Sequence, residues 1–584
     1  MSAATVIPLI PEAEAPPIER PCYRVYDHGI TLDGVKLRPG VWSHGQSLDK
    51  QSGDYVPSDE WLCGPLHVEA VTRNEGQDGD YGRLLRFRNA DGHELTWAMP
   101  NELLAGKPDS ILSVLLSRGL DVDYQRRTKV CQYIAAQYPK DRVIAATSTG
   151  WHSRALFIMP RQNIGIGKAM FQSDSVNGDD YCQGGTLEGW QAGIGVMCEG
   201  NPLLLLSVCA SLAGPLLYHV QRQGGGFHVV GDSSTGKSSA ILAGASVWGH
   251  AEDFKRTWRA TGNGLEGIAS QRNDTLLALD EIGEADPREI GAVIYAIANG
   301  TGKTRASRNG SARAARRWRV MLFSSGELGL SALMAEGGKR SRAGQEIRLL
   351  DIPARRTYGA WDNLHGMTGG REFSDAIQHT SVTHYGHAGP QFIRKLLEAD
   401  VPGGLPALLA QFCEQYPSIN GQESRAAERF ALVAMAGELA ISFGILPLPA
   451  GTAREAMLEL FDVWRAGRGD GPSEDRQILR AIADFIARHG SSRFQSAAKG
   501  SEPVRDRVGL WDNAENGDRL YLFSRAALEE ATKGYEMGRV ILALDSAGAI
   551  AKREYGKHQA QRRLPEGGKD RFYWIALERL ACAD

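Results

Sequence analysis

Apolar and polar residues change their spacing along the chain, and the first region mixes the helical and the strand period. Two alternating runs flank a turn at Ala90, Asp91 and Gly92 within residues 81–99, which predicts a β-hairpin. Apolar residues follow helical spacing over 109–116 and 126–138, and strand-like runs return over 142–160. We therefore predict an N-terminal α/β domain over residues 21–195, preceded by a flexible segment over 1–20.

The middle region alternates apolar strands with amphipathic helices over 196–360 and becomes mostly helical over 370–466. This alternation predicts a parallel sheet with helical crossovers. The apolar run at 202–220 is long enough to suggest a membrane span, but Gly214 and Pro215 interrupt it, and we predict a helix buried against the sheet. Residues 196–470 are thus predicted to form an α/β nucleotide-binding core with a helical lid.

The last region, residues 471–584, follows a Gly-rich linker at 467–474. It predicts an amphipathic helix at 474–489, two further helices at 525–534 and 537–547, and a hairpin within 557–576. Three helices followed by a hairpin is the winged-helix order, so we predict a winged-helix-like domain. A generic small α/β cap fits the same pattern.

Composition narrows the class of protein. The formal net charge is −3, so any nucleic-acid contact must come from local basic patches. The eight cysteines form no C-x-x-C pair, which argues against a zinc site and favours a reducing, cytoplasmic compartment. The first residues lack a positively charged segment before an apolar run, so we predict neither a signal peptide nor a membrane partner.

Residues 231–238 carry the strongest chemical signal, because Gly-Asp-Ser-Ser-Thr-Gly-Lys-Ser fits the phosphate-loop pattern G-x-x-x-x-G-K-[ST]. An apolar strand at 227–230 precedes it and a helix-compatible run at 239–247 follows. The glycines let successive backbone N–H groups face one anion, and the helix start adds its positive end. Lys237 would reach the β- and γ-phosphates of ATP, and the Ser238 hydroxyl would ligate Mg²⁺. The predicted ATP-binding set is Gly231, Ser234, Thr235, Gly236, Lys237, Ser238 and Ser239.

A second motif supports the first. The apolar strand at 274–279 ends in the adjacent acids Asp280 and Glu281. Two carboxylates at the end of a buried strand are energetically costly unless a cation lies close enough to neutralise them. Asp280 is predicted to hold Mg²⁺ beside Ser238, and Glu281 to polarise the water that attacks the γ-phosphate.

The next strand, at 318–323, ends in Ser324 and Ser325. In ring ATPases of the AAA+ class, this strand ends in a polar residue that senses the γ-phosphate. Either serine could take that role here, although asparagine or threonine is more usual. A plain strand-end turn is the alternative.

Arginines near the last core strand are candidates for completing the site. Arg342 and Arg348 lie before or at the strand at 347–352, where an arginine can reach a neighbouring subunit's γ-phosphate, and the sequence does not choose between them. Arg429 could act as a lid sensor within the same subunit, with Arg425 as the second candidate. Surface arginines would explain each of these equally simply.

A basic segment lies between the two motif strands. Residues 302–319 contain seven arginines and lysines and no acid, with an Asn-Gly turn signal in the middle. We predict a hairpin that contacts the phosphates of a DNA strand in the pore of a ring. Its predicted DNA contacts are Lys303, Arg305, Arg308, Arg313, Arg316 and Arg317.

The region from about 80 to 360 resembles the domain-of-unknown-function 927 family. The resemblance rests on TWRATGNGLEGIA at 257–269, DTLLALDEIGEAD at 274–286, ANGTGKTRA at 298–306, WRVMLFSSGE at 318–327 and AGQEIRLLDIPA at 343–354. That family is similar to AAA+ and superfamily 3-type helicase ATPases of mobile elements and phages, and some members occur beside primases. The resemblance implies an AAA+ fold and a homohexameric DNA helicase that supports element replication. No primase motif is visible, so a primase would be a separate partner.

The sequence therefore predicts an ATPase that uses ATP and Mg²⁺ to move or unwind single-stranded or forked DNA. An ATP-switched DNA-binding regulator or loader that does not unwind is the main alternative. A protein-remodelling or DNA-packaging ATPase is a third reading, and no acidic metal cluster for a packaging nuclease is apparent.

Overall fold

The computed structural model describes residues 18–74, 79–171, 180–302, 305–306, 312–313, 316–339, 341, 343–399, 401–417, 421–468, 473–514 and 517–580. The chain divides into two compact units. The first contains Met1–Cys182 with Ser270–Asn273 and Leu396–Ala399, and the second contains the remainder. The predicted domain bounds, 21–195, 196–470 and 471–584, stay predictions.

The first unit is a β-rich α/β domain. Its main sheet has five strands in the order β13-β9-β6-β7-β8, and a three-stranded sheet has the order β1-β4-β5. The predicted hairpin at 81–99 is confirmed as β7 and β8, and the predicted helices are α1 and α2. The strands are β1 (Cys22–Tyr26), β2 (Ile30–Leu32), β3 (Val35–Leu37), β4 (Gly40–Leu48), β5 (Tyr55–Cys63), β6 (Leu66–Arg73), β7 (Gly82–Arg88), β8 (Glu94–Pro100), β9 (Arg142–Ala146), β10 (Gly150–Ser153), β11 (Leu156–Ile158), β12 (Asn163–Gly165) and β13 (Ala169–Phe171). The helices are α1 (Asp109–Ser117) and α2 (Arg127–Ala136).

A five-stranded parallel sheet forms the centre of the second unit, as the alternating pattern predicts. Its order is β15-β16-β19-β14-β20, and every neighbouring pair is parallel. The strands are β14 (Gly225–Val230), β15 (Arg256–Thr257), β16 (Thr275–Asp280), β19 (Val320–Gly326) and β20 (Leu349–Pro353), with the two-stranded hairpin β17 (Arg305–Ala306) and β18 (Ala312–Arg313) between β16 and β19 in the chain. Because the strands are parallel, their carboxyl ends meet at one edge of the sheet.

Helices precede, cross and follow this sheet. They are α3 (Leu187–Trp190), α4 (Pro202–Ala213), α5 (Leu216–His219), α6 (Lys237–Ser246), α7 (Ala251–Phe254), α8 (Gly262–Gln271), α9 (Ile290–Asn299), α10 (Leu330–Glu336), α11 (Ala343–Glu346), α12 (Gly370–Thr383), α13 (Ala388–Glu398), α14 (Leu405–Cys413), α15 (Gly421–Ser442) and α16 (Thr452–Arg468). Every residue of α4 is buried, and the helix packs against α6 and α15, so the apolar run at 202–220 belongs to the protein core. Among the described residues, no helix combines the length and apolar character of a bilayer span.

The C-terminal part of the second unit differs from the predicted element order. Three strands, which the helical periodicity did not reveal, lie between its first and second helices, while the predicted hairpin within 557–576 is confirmed as β25 and β26. The elements are α17 (Ser473–His489), β21 (Phe494–Ser496), β22 (Gly509–Asn513), β23 (Arg519–Phe523), α18 (Arg525–Ala531), α19 (Met537–Ser546), β24 (Ile550–Lys552), β25 (Ala560–Arg563) and β26 (Lys569–Ala576). The winged-helix assignment remains a prediction.

Candidate functional site

The loop at residues 231–238 connects β14 to α6 at the carboxyl edge of the parallel sheet. Its backbone needs left-handed geometry at two positions, with φ of +59° at Ser234 and +104° at Gly236. A Cβ atom at Gly236 would lie 2.8 Å from the ring of Trp361, so only glycine fits between the loop and that ring. Ala360 N–H donates to the Thr235 carbonyl at 2.7 Å. The segment at 359–361 therefore packs against the phosphate loop and restrains its backbone.

Lys237 begins α6 and folds back over this loop. Its Nζ donates to the carbonyl oxygens of Gly231 at 2.8 Å and Asp232 at 2.5 Å, and the residue is only 6% exposed. The next residue but one, Ser239, is buried and its Oγ accepts a hydrogen bond from Gln378 at 2.9 Å. The ammonium group is thus already held at the mouth of a loop shaped to take an anion.

The second motif lies directly beside the loop. Ser238 Oγ is 3.4 Å from Asp280 Oδ1 at the end of β16, so the structure brings the two predicted Mg²⁺ ligands together. A hydroxyl and a carboxylate oxygen are ligands that Mg²⁺ accepts, and this pair fits an ion that takes its other ligands from phosphates and water. Lys255 Nζ is 3.7 Å from Asp280 Oδ2 and 2.9 Å from Glu252, a neighbour of the site that the sequence did not reveal.

Glu281 follows Asp280 in a strained backbone conformation. Its φ is +56° and its ψ +78°, a region that costs a non-glycine residue about 1–3 kcal/mol. The residue is exposed, and its N–H is 3.5 Å from Ser325 Oγ. The strained turn therefore places a carboxylate in contact with solvent at the sheet edge that carries the phosphate loop.

The two candidate sensor serines face different surroundings. Ser325 donates to Asp280 Oδ1 and so belongs to the carboxylate cluster. Ser324 Oγ accepts from Trp258 Nε1 at 2.8 Å and lies 3.0 Å from Nδ1 of His228, its neighbour on β14. Because His228 Nε2 must donate to the Leu328 carbonyl at 3.0 Å, Nδ1 accepts from Ser324, and burial lowers the pKa of this imidazole to about 4. Ser324 is therefore fully engaged in the core.

The structure does not bring Arg429 to the phosphate loop. Its Nη1 donates to the Ile347 carbonyl, and its guanidinium lies against Gly225 at the start of β14. Five strand residues separate that point from the loop, which corresponds to roughly 16 Å. Desolvation lowers the pKa of Arg429 to about 10. Arg425, its alternative, lies one turn earlier on α15 and is exposed.

Arg348 also lies at the amino edge of the sheet. Its carbonyl accepts from Gly226 N–H at 2.8 Å, and its guanidinium donates to Asn299 Oδ1 at 2.8 Å and stacks 4.1 Å above the Tyr295 ring. Burial lowers the pKa of Arg348. Arg342 lies outside the described residues.

The backbone of the basic segment forms the predicted hairpin. Arg305 pairs with Arg313 across β17 and β18, and Gly302 N–H bonds the Arg316 carbonyl at 2.9 Å at the base. Arg316 and Arg317 are exposed. Lys303 and Arg308 lie outside the described residues, and only the backbones of Arg305 and Arg313 are described.

Arg319, at the end of the same segment, has a structural position instead. It forms two hydrogen bonds with Asp274, Nε to Oδ1 at 2.7 Å and Nη2 to Oδ2 at 3.0 Å. Its guanidinium also lies 4.9 Å from the Tyr218 ring. Since Asp274 is completely buried, this pair anchors the strand β19 beside β16.

Three residues around the site were not predicted from the sequence: Trp361, Gln378 and Lys255. Each approaches from a segment that is distant in the chain or carries no motif. Only the two adjacent cations at the start of β15, Lys255 and Arg256, could have suggested a positive charge near the Asp280 carboxylate.

A solved structure described as "SCCmec type IV Cch - active helicase" aligns with a TM-score of 0.67 and 17% identity, covering 92% of this chain and 98% of that chain. At this identity the likeness shows a shared fold. No curated protein matches the chain. The family model described as Domain of unknown function (DUF927) matches residues 32–317, which begins and ends earlier than the region at about 80–360 that the sequence suggested. Residues 32–317 of this chain therefore belong to the DUF927 family.

Proposed function

We propose that this protein is an ATP-dependent DNA helicase or translocase of a mobile genetic element or phage. The observation that carries the proposal is the meeting of the phosphate loop, Lys237 and the Ser238–Asp280 pair at one sheet edge, with Glu281 in a strained turn beside them. A merely structural loop has no need for these groups together. The structurally similar protein is described as an active helicase, which supports a helicase-like role for this chain.

Hydrolysis would use these residues in distinct roles. Lys237 would exchange the carbonyls of Gly231 and Asp232 for the β- and γ-phosphates of ATP, while Ser238 and Asp280 hold Mg²⁺. The bound ion would neutralise charge that develops on the phosphates. Glu281 would accept a proton from the attacking water, and Ser325, rather than the buried Ser324, would report the γ-phosphate to Asp280.

A ring would complete the site. Arg342 or Arg348 would supply positive charge to the nucleotide of a neighbouring subunit, the role that an arginine finger performs in trans. A homohexamer in the cytoplasm, working beside a separate primase in element replication, is the assembly we propose. Arg429 cannot sense the nucleotide of its own subunit in this scheme, because it lies at the opposite edge of the sheet from the loop.

DNA would engage the hairpin at 302–319. Arg316 and Arg317, both exposed at its base, would contact phosphates of a single or forked strand. Movement of the hairpin with the nucleotide state would then pull the strand.

The decisive experiment compares Lys237→Ala and Glu281→Gln with Glu284→Gln, an exposed acid three residues further on. We expect Glu281→Gln to retain ATP binding but to lower turnover by roughly 10²–10⁴-fold, and Lys237→Ala to weaken ATP binding. Glu284→Gln should behave as the wild type. Undiminished turnover in Glu281→Gln would remove that residue from catalysis.

A forked duplex separates the two functional readings. A helicase should displace the strand only while ATP is hydrolysed, whereas a regulator or loader should bind the fork without opening it. The end of the β25–β26 hairpin, where Arg563 and Lys569 are exposed, is the observation that favours the regulator. ATP-independent binding with no displaced strand would support that alternative.

A further inference from the structure

The segment at residues 552–571 is the second strongly basic stretch of the chain. It holds seven lysines and arginines against three acids, a net charge of +4 in a chain whose total is −3. Three of these cations are paired: Arg553 with Asp545 at 2.8 Å, Arg562 with Asp512 at 2.8 Å, and Arg571 with Glu554 at 3.2 Å. The four cations of the segment outside these pairs are Lys552, Lys557, Arg563 and Lys569.

Two of the other cations lie at the end of the β25–β26 hairpin, where Glu566 in the turn pairs with Arg507 at 2.7 Å. Arg563 and Lys569 are directly opposed across the two strands, and both are exposed. Within the part of the chain that the structure describes, neither forms an ion pair. Like charges in directly opposed positions destabilise a hairpin, so this arrangement is suited to an anion that both groups can face. The turn that follows contains Gly567 and Gly568 in left-handed geometry, with open space beyond each.

A second exposed feature belongs to the same segment. The turn between β24 and β25 carries Tyr555, whose side chain is as exposed as in an extended peptide. Gly556, with φ of +70°, shapes this turn, and the exposed Lys557 follows. A fully exposed aromatic ring that lies two residues from an exposed lysine has the chemistry of a platform for stacking bases.

Glu554, which precedes Tyr555, accepts a hydrogen bond from Gln561 N–H at 3.0 Å, and Gln561 lies two residues before Arg563 on β25, so the turn lies beside the hairpin. We infer that this surface, defined as Tyr555, Lys557, Arg563 and Lys569, is a second nucleic-acid contact and takes a strand with unpaired bases. Tyr555 stacks on a base, and the three cations contact phosphates. The inference rests on the proposed function only in taking DNA as the ligand, and it places the contact in the C-terminal part rather than in the 302–319 hairpin. An acidic protein would satisfy the charges but would give the Tyr555 ring no role.

The test uses the full chain without nucleotide and the anisotropy of a fluorescein-labelled oligothymidine. Tyr555→Ala should weaken binding about 10-fold, and Tyr555→Phe should restore it, because stacking needs the ring and not the hydroxyl. The double variant Arg563→Ala/Lys569→Ala should make the negative slope of log K against log salt shallower by about 1.4, because two phosphate contacts on a single strand are lost. Tyr138→Ala and Arg371→Ala, which alter exposed residues elsewhere in the chain, are the matched controls.

Wild-type affinity in both Tyr555→Ala and Arg563→Ala/Lys569→Ala would overturn the inference. So would polyglutamate binding as tightly as oligothymidine, because it would show an acidic-protein site. DNA-stimulated ATP hydrolysis and its loss in Arg316→Ala/Arg317→Ala report on the proposed function separately. That function can therefore stand while this surface fails, and the reverse.

Discussion

Replacing Arg319 by glutamine tests whether the basic segment at 302–319 serves two purposes. The change removes a guanidinium that makes two hydrogen bonds to Asp274, a carboxylate with no exposed surface. The change takes two charge-assisted hydrogen bonds from a buried carboxylate, which costs roughly 3 kcal/mol. For a unit of this size we expect the midpoint of thermal unfolding to fall by roughly 5 °C.

Differential scanning fluorimetry and circular dichroism measure this midpoint, with Arg316→Gln as the matched control. Arg316 is exposed, so its replacement should change stability by less than about 0.5 kcal/mol while weakening DNA binding. The double variant Asp274→Asn/Arg319→Gln should recover much of the loss, because it replaces the buried carboxylate by a neutral amide as well. An unchanged midpoint in Arg319→Gln, or a loss of DNA affinity equal to that of Arg316→Gln, would refute the structural role of Arg319.

Three further outcomes follow from the site. Gly236→Ala should abolish binding of a fluorescent ATP analogue, because the new Cβ would lie 2.8 Å from the Trp361 ring at a φ of +104°; normal binding would show that the loop can shift away from that ring. Ser325→Ala should lower the rate of hydrolysis with little change in melting, whereas Ser324→Ala should lower the melting temperature, and the reverse pattern would exchange their roles. Burial lowers the pKa of His228 to about 4, below its unfolded value of about 6.5, so the unfolded chain binds more protons between these limits. Stability should therefore fall as the pH falls through that range, and melting curves of His228→Gln should lack this part of the slope.

Local patterns were enough to predict much of this protein. The loop at 231–238 could be recognised because its glycine positions and its lysine are fixed by the geometry of a chain wrapped around a phosphate. The hairpins at 81–99 and 557–576 followed from alternation around turn residues, and α4 from a long apolar run. These features depend on neighbours within a few residues.

The C-terminal strands mark where this reasoning stopped. The strands β21, β22 and β23 have only three to five residues each. Their apolar residues are too few to distinguish them from loops in the sequence. The stability of a strand depends on the partner that pairs with it, and β23 pairs with β26, some fifty residues later in the chain.

The sequence by itself determined that this chain carries a phosphate loop, an acid pair after a buried strand, and a basic hairpin between them. Only the tertiary structure decided which of two adjacent serines faces the acids, because side chains of neighbouring strand residues point to opposite faces. It also placed Arg348 and Arg429 at the amino edge of the sheet, and it committed Arg319 to Asp274. Residue type fixes what a side chain can do, whereas the sheet and its crossovers fix what lies within its reach.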